Sequence, residues 1–365
     1  MRLESLQIER FRALDVVQIQ PKADFVLFHG DNGAGKTSIL EAISFLASGK
    51  SFLGTRLPNI IQTDQRDVLV SGRVSEGGSS HQLGLQRFLN APTDARIDGD
   101  KVATLSALAH RVPFLVVGAE GLNWLAGTPA RRRSILDWGV FHVEQLELAH
   151  YSRYRKALEQ RNKALKNDTL SAAEVQVWDG VLADSGEAII AGREAYLTRL
   201  LEVFHDLAAS TEGLPEITLT HNPGYSRHKG DLRQALSRGW ARDRVMGSTY
   251  SGPHRGDLVL SCRGAPALES LSRGQQKVLV ALLVLAQQQL LWQVRQRRVL
   301  LLVDDLAAEL DDQRQARLWQ LMTQTGAQVF LTAVDAQRVQ PIMDSDRPLQ
   351  VFHVENGSVT EVEAR

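Results

Sequence analysis

The sequence predicts an α/β chain: a head built from a mixed sheet plus an antiparallel β subdomain, with a helical arm inserted into it. Three observations carry this. A glycine-rich loop at residues 30–38 stands between an apolar strand and an amphipathic helix. Two nearly apolar segments, residues 298–305 and 328–332, have the composition of strands buried on both faces of a parallel sheet. Residues 138–245 are rich in Leu, Ala, Arg, Lys, Glu and Gln and follow a helical period. The expected division is 1–118 for the first half of the head, 119–245 for the arm and 246–365 for the second half.

The glycine-rich loop reads Gly30, Asp31, Asn32, Gly33, Ala34, Gly35, Lys36, Thr37, Ser38 and fits the phosphate-binding pattern Gly-x-x-x-x-Gly-Lys-Ser/Thr. Its glycines allow backbone conformations closed to residues with a Cβ, so successive N–H groups can turn inward around phosphates. Lys36 then reaches the β/γ-phosphates, and the Thr37 hydroxyl can ligate Mg²⁺. Residues 24–29 read as the buried strand before the loop. Ile39, Ala42, Ile43 and Leu46 mark the apolar face of the helix after it, whose positive end faces the anion.

The remaining composition narrows the class. The chain has 365 residues, enough for two or three lobes, and its 42 basic and 42 acidic residues cancel. Nucleic-acid binding then requires basic residues gathered on one surface. The single cysteine, Cys262, excludes an intramolecular disulfide and is expected in a strand. No stretch reaches the roughly 18 apolar residues of a membrane span. The start of the chain lacks a signal-peptide apolar region, so a cytoplasmic location without membrane contact is expected.

Taken in order, residues 1–19 alternate as antiparallel strands, and residues 67–74 and 82–88 read as a further pair. Asp98-Gly99 and Asn356-Gly357 signal two tight hairpins. Thr128 before Pro129 marks a helix start, followed by Arg131, Arg132 and Arg133. Cations sit poorly at that helix end. They either face solvent or meet an anion. Two long antiparallel helices follow, broken near residues 166–171. The first carries a run of cations that includes Arg153 and Lys156; it is a solvated face or a phosphate contact. Ser272, with Gln275 three residues on, is a capping box opening a long apolar helix.

Four elements belong to one site: the phosphate loop, the segment Ser272, Arg273, Gly274, Gln275, Gln276, the strand end at Asp304 and Asp305, and Thr332. An apolar strand ending in Asp supplies the carboxylate that meets Mg²⁺ near Thr37, so Asp304 is the expected metal carboxylate. Asp305 either positions the attacking water or caps a helix from Leu306 onward. Leu-Ser-x-Gly-Gln resembles the signature motif of ABC-type ATPases, which contacts the γ-phosphate of ATP held on the opposite subunit. Ser272 and Gly274 at a helix N-terminus suit that task.

The chain resembles the RecF family of bacterial DNA replication and repair ATPases, related to SMC and Rad50 heads. The markers are residues 30–43, Pro129 to Asp137, Gly252-Pro253-His254-Arg255, residues 271–276 and residues 304–311. It departs from that pattern at Ile135, Gly256 and Gly118-Ala119-Glu120. The resemblance implies an ABC-type P-loop ATPase head that binds ATP and Mg²⁺, forms an ATP-dependent homodimer on DNA and hydrolyses ATP weakly. It also implies partnership with the recombination mediators RecR and RecO. Arg12, Gln275 and Thr332 join the loop as nucleotide contacts, and Asp311 would lie across the dimer interface. A transporter ATPase subunit shares the loop and signature but not the β-rich opening, the arm or the Pro-x-x-Arg-Arg segment.

Overall fold

The computed structural model describes residues 1–118, 124–144, 148–167, 172–305, 310–339 and 347–363. It divides into two compact units. One comprises Met1–Leu122, Ser210–Leu214 and Ser272–Arg365; the other comprises Asn123–Ala209 and Pro215–Leu271. The boundary expected at 245/246 therefore falls inside the second unit. The reason is strand pairing: β9 (Ile217–Asn222) is antiparallel to β10 (Asp257–Cys262), which keeps residues up to 271 with the arm.

The first unit contains two six-stranded sheets. One is antiparallel, in the order β2 (Leu14–Ile19), β1 (Arg2–Phe11), β4 (Asp67–Glu76), β5 (Ser79–Phe88), β6 (Asp94–Ile97), β7 (Asp100–Lys101). The other is mixed, in the order β15 (Ser358–Val362), β14 (Leu349–Glu355), β3 (Phe25–His29), β13 (Gln328–Ala333), β12 (Leu300–Asp304), β8 (Phe114–Gly118). Only β15 runs antiparallel there; the other five strands are parallel. In β12 Leu300, Leu301, Leu302 and Val303 are all buried, as a strand covered on both faces requires. Helix Lys36–Ser48 packs Ile39, Leu40, Ile43 and Phe45 into a core that includes Leu6 and Ile8 of one sheet and Val26 and Leu302 of the other. Phe11 meets Phe45 edge to face, with ring centroids 5.6 Å apart.

Both Asx-Gly hairpins form at the expected positions, with Asp98, Gly99, Asn356 and Gly357 all at positive φ, as the tight two-residue turn demands. Cys262 is buried at the end of β10. One expectation is corrected. Helix Arg273–Arg295 is long and apolar enough to cross a membrane, but 72% of its most apolar window is buried within the protein. It is a core helix whose buried Gln288 side chain accepts the backbone N–H of Val299 at 2.9 Å.

The second unit carries the three-stranded sheet β11 (Ala265–Pro266), β10, β9 and the helices Pro129–Gly139, Leu148–Leu165, Ala172–Ala209 and Leu232–Met246. Arg161 bonds Asp179, and Tyr154 lies against Gly186. Those two pairings require the helices Leu148–Leu165 and Ala172–Ala209 to run antiparallel, as the periodicity predicts. Gly186 permits the approach: a Cβ there would stand 2.5 Å from Leu232 Cδ2 and 3.1 Å from Tyr154. Helix Leu232–Met246, which no sequence period set apart, completes this core with Leu232 and Leu236.

Candidate functional site

The phosphate loop leaves β3 and enters helix Lys36–Ser48 through glycines at positive φ: Gly30 at 143°, Gly33 at 83° and Gly35 at 112°. Gly30 is needed for a second reason. A Cβ on it would lie 2.2 Å from the carbonyl oxygen of Val354 in β14. The turn after β14 braces the loop again, where the Gly357 N–H donates to Ala34 O at 3.0 Å. A Cβ on Gly33, by contrast, would meet nothing within 4 Å, so this part of the loop is open.

The Lys36 ammonium donates to Gly30 O and Asp31 O, each at 2.7 Å, and so spans the loop. Burial lowers its pKa, while the carboxylates of Asp305, Asp304 and Asp31 oppose that change. Behind it, parallel pairing sets Asp304 of β12 opposite Thr332 of β13. Thr332 donates its hydroxyl to Asp304 Oδ1 at 2.7 Å, and Thr37 donates to the same oxygen at 2.9 Å. The Asp305 N–H donates to Thr332 Oγ1 at 3.0 Å. Asp305 itself adopts a left-handed backbone, φ 47°, uncommon for a residue with a side chain. On the other flank of β12, Asp304 is in register with Gly118; a Cβ at 118 would approach the Asp304 carbonyl to 2.6 Å.

Thr37 and Asp304 are hard oxygen donors of the kind Mg²⁺ takes, with the other positions left to phosphate and water. The residues therefore fit a Mg²⁺–nucleotide: an open loop of inward-capable N–H groups, a buried lysine and a carboxylate–hydroxyl pair converge at the C-terminal ends of parallel strands. That is where open α/β sheets bind ligands.

The signature segment forms the expected helix start. Ser272 caps helix Arg273–Arg295 in a capping box: its hydroxyl accepts the Gln275 N–H at 3.3 Å, and Gln275 Oε1 accepts the Ser272 N–H at 3.0 Å. Gln275 Nε2 donates to Gly213 O at 2.8 Å. Ser272 is exposed, and these bonds hold Ser272 and Gln275 to each other and to Gly213, not to the phosphate loop. Gly274 is half-buried beside them. Asp311 caps helix Asp312–Gln324, accepting the Arg314 N–H at 2.9 Å and pairing with its guanidinium at 2.6 Å. Glu120 lies outside the described residues.

Arg12, also at positive φ (53°), has its guanidinium engaged by Glu41 and by Thr55 Oγ1, the latter at 2.8 Å. Glu41 is fully buried and also receives the Ser51 hydroxyl, so in this structure Arg12 is part of a polar cluster on helix Lys36–Ser48. The arginine run in the second unit divides. Arg132 makes two 2.8 Å bonds to the carboxylate of Asp257, and Arg133 donates to Gly256 O at 2.5 Å. The Asp257 carboxylate is the anionic partner that the position of Arg132 at a helix start called for, whereas Arg133 meets a main-chain carbonyl. Arg131, Arg153 and Lys156 are exposed. The brace from Val354 and Gly357 had no signal in the sequence beyond the Asn356-Gly357 turn itself.

The chain matches the family described as the RecF/RecN/SMC N-terminal domain over residues 2–360. A DNA replication and repair protein RecF from Pseudomonas paraeruginosa (strain DSM 24068 / PA7) is 37% identical over 362 residues, covering 99% of this chain and 98% of that protein. The RecF of Pseudomonas syringae pv. syringae (strain B728a) is 38% identical over 363 residues, with the same coverage of 99% and 98%. Among solved structures, the recombination mediator protein RecF-ATP in the RecFOR pathway superposes with a TM-score of 0.88 at 23% identity, covering 99% of this chain and 97% of that one. An Smc head domain from Pyrococcus furiosus superposes with a TM-score of 0.57 at 15% identity, with coverage of 99% and 95%. These last two likenesses concern the fold alone.

Proposed function

Since the chain belongs to the RecF family of DNA replication and repair proteins, we propose that it is an ATP-dependent DNA-binding protein of recombinational repair and replication restart, active in the response to DNA damage. The observation that carries the reading is the shared acceptor Asp304 Oδ1, bonded by Thr37 and Thr332 beside the loop-spanning Lys36. In this reading the N–H groups of residues 30–38 and the Lys36 ammonium hold the phosphates of ATP, and Thr37 and Asp304 hold Mg²⁺. Bound Mg²⁺ neutralises charge on the phosphates. Asp305, fixed in its strained conformation by Thr332, orients the attacking water. Lys36 must first leave the carbonyls of Gly30 and Asp31, so phosphate oxygens replace main-chain acceptors.

Ser272 and Gln275 bond to each other and to Gly213, which supports a site completed by a second copy. Each nucleotide would lie between the loop of one protomer and the helix start of its partner, with Gln275 and Asp311 nearby. ATP then closes a dimer on DNA, and slow hydrolysis releases it. Arg131, Arg153 and Lys156 are the exposed cations that the sequence offers to DNA, and RecR and RecO are the expected mediators that the dimer helps load at gapped DNA. A cytoplasmic setting accords with this role.

Sedimentation of Ser272→Arg with ATP and Mg²⁺ tests the trans arrangement. Dimers should disappear while the monomer still binds ATP. Dimers at wild-type levels would overturn it, and a wild-type protein that failed to bind ATP would overturn the whole reading.

A further inference from the structure

The second unit carries a groove of about 480 Å³ between helix Leu232–Met246 and the segments at Gly224 and Tyr250, lined by Tyr225, Lys229, Arg238, Arg242 and Tyr250, and none of its lining residues is acidic. We propose that this groove binds the phosphodiester backbone of DNA; the inference rests on the DNA-binding function proposed above and names a surface for it.

The charge balance distinguishes these cations from their neighbours. Arg227 pairs with Glu194 at 2.7 Å, and Arg233 approaches Asp184 at 3.4 Å. Lys229 and Arg238 are exposed and form no ion pair among the described residues. The carboxylate within 3.6 Å of Arg242 is Asp243, which is fully buried and already bonded to Arg161 at 2.8 Å. That carboxylate is committed inward, so the groove presents uncompensated positive charge.

The groove is also organised in advance. The Arg242 guanidinium stands 4.7 Å from the centre of the Tyr250 ring, and Arg255 stands 4.4 Å from the same ring. Arg255 Nε further donates to Thr249 O at 3.2 Å. Stacking on an aromatic face limits the freedom a guanidinium loses when it meets an anion. A planar, stacked guanidinium flanked by two exposed cations suits successive phosphates along a strand, a contact that does not depend on sequence. The five cations the sequence offered to DNA do not include these: Arg238 and Arg242 share one face of helix Leu232–Met246 at i, i+4 spacing, and the turn before that helix brings Lys229 beside them.

The test is Lys229→Gln with Arg238→Gln, two exposed changes that leave the Tyr250 stack intact. Binding of a fluorescent gapped duplex is followed from about 50 to 300 mM salt. Releasing about two fewer counterions should weaken binding at about 0.15 M salt by up to roughly thirty-fold and reduce the log–log salt slope by about 2. ATP binding, which belongs to the first unit, should not change. Wild-type protein with no DNA affinity would remove the function on which the inference rests. Wild-type affinity and slope in the variant, with DNA bound by both proteins, would overturn the groove alone. If DNA binding were unchanged but the variant lost an acidic partner protein, the groove would be a protein contact, and the proposal would fail.

Discussion

The Asp304 carboxylate and the Thr332 hydroxyl, 2.7 Å apart on adjacent parallel strands, link the proposed Mg²⁺ ligand to the backbone of Asp305, whose N–H donates to the same hydroxyl at 3.0 Å. One side chain therefore orients both acidic residues of the site. Replacing Asp304 by Asn keeps the oxygen acceptor but removes its charge. Turnover should fall by at least about 100-fold, the scale for losing one electrostatic element of such a site, while ATP binding persists. Steady-state hydrolysis and nucleotide titration check this. Lys36→Arg should also suppress turnover, because a planar guanidinium does not replace a point charge that spans two carbonyls.

Gly30 and Val354 set the shape of the loop. Gly30→Ala places a Cβ 2.2 Å from a carbonyl oxygen in a central sheet, at φ 143°. Backbone on both sides cannot yield cheaply. A stability loss of about 2–4 kcal/mol is expected, on the scale of overpacking with added backbone strain, and it should appear as a lower midpoint in thermal unfolding. An unchanged midpoint would mean that β14 does not brace the loop.

Arg161 is buried completely and bonds Asp179 at 2.7 Å, Asp243 at 2.8 Å and Thr249 Oγ1 at 2.9 Å. Burial raises the Asp179 pKa, and Arg161 opposes that rise. Arg161→Met removes the guanidinium that bonds both buried carboxylates and should cost about 3–5 kcal/mol. Urea unfolding followed by near-ultraviolet dichroism measures it. A cost below about 1 kcal/mol, the scale of an exposed ion pair, would show that water reaches the carboxylates.

His254 accepts the Tyr154 hydroxyl at Nδ1 (2.7 Å) and donates from Nε2 to Thr249 O (3.0 Å), a pattern that needs the neutral ring. Burial, aided by Arg255 and Arg133, lowers its pKa from 6.5 to about 4, against a hydrogen bond to Thr249 that raises it. The unfolded chain then binds more protons between these values, so stability is complete above pH 6.5 and declines as pH falls towards 4. The loss is at most about 3 kcal/mol. Unfolding free energies at about pH 7 and pH 5 should differ more for the wild type than for His254→Gln. Equal differences would move the titration elsewhere.

Much of the proposed nucleotide site was legible because its chemistry lies in short, contiguous patterns. The spacing from Gly30 to Thr37, the apolar run ending at Asp304 and the capping box at Ser272 each depend on local backbone geometry. The α/β class followed from the same runs, and the two arm helices followed from the period of their apolar residues. Where charge was the signal, the chain alone left two readings open. Arg132 and Arg133 had the same spacing whether they met solvent, DNA or Asp257, and only the fold set the carboxylate of Asp257 and the carbonyl of Gly256 against them. The unit boundary and the brace of Val354 and Gly357 on the phosphate loop were likewise decided by tertiary structure. Each joins residues distant in the chain, through strand pairing or a turn, and no local period or motif encodes which distant partner a backbone or a guanidinium will meet.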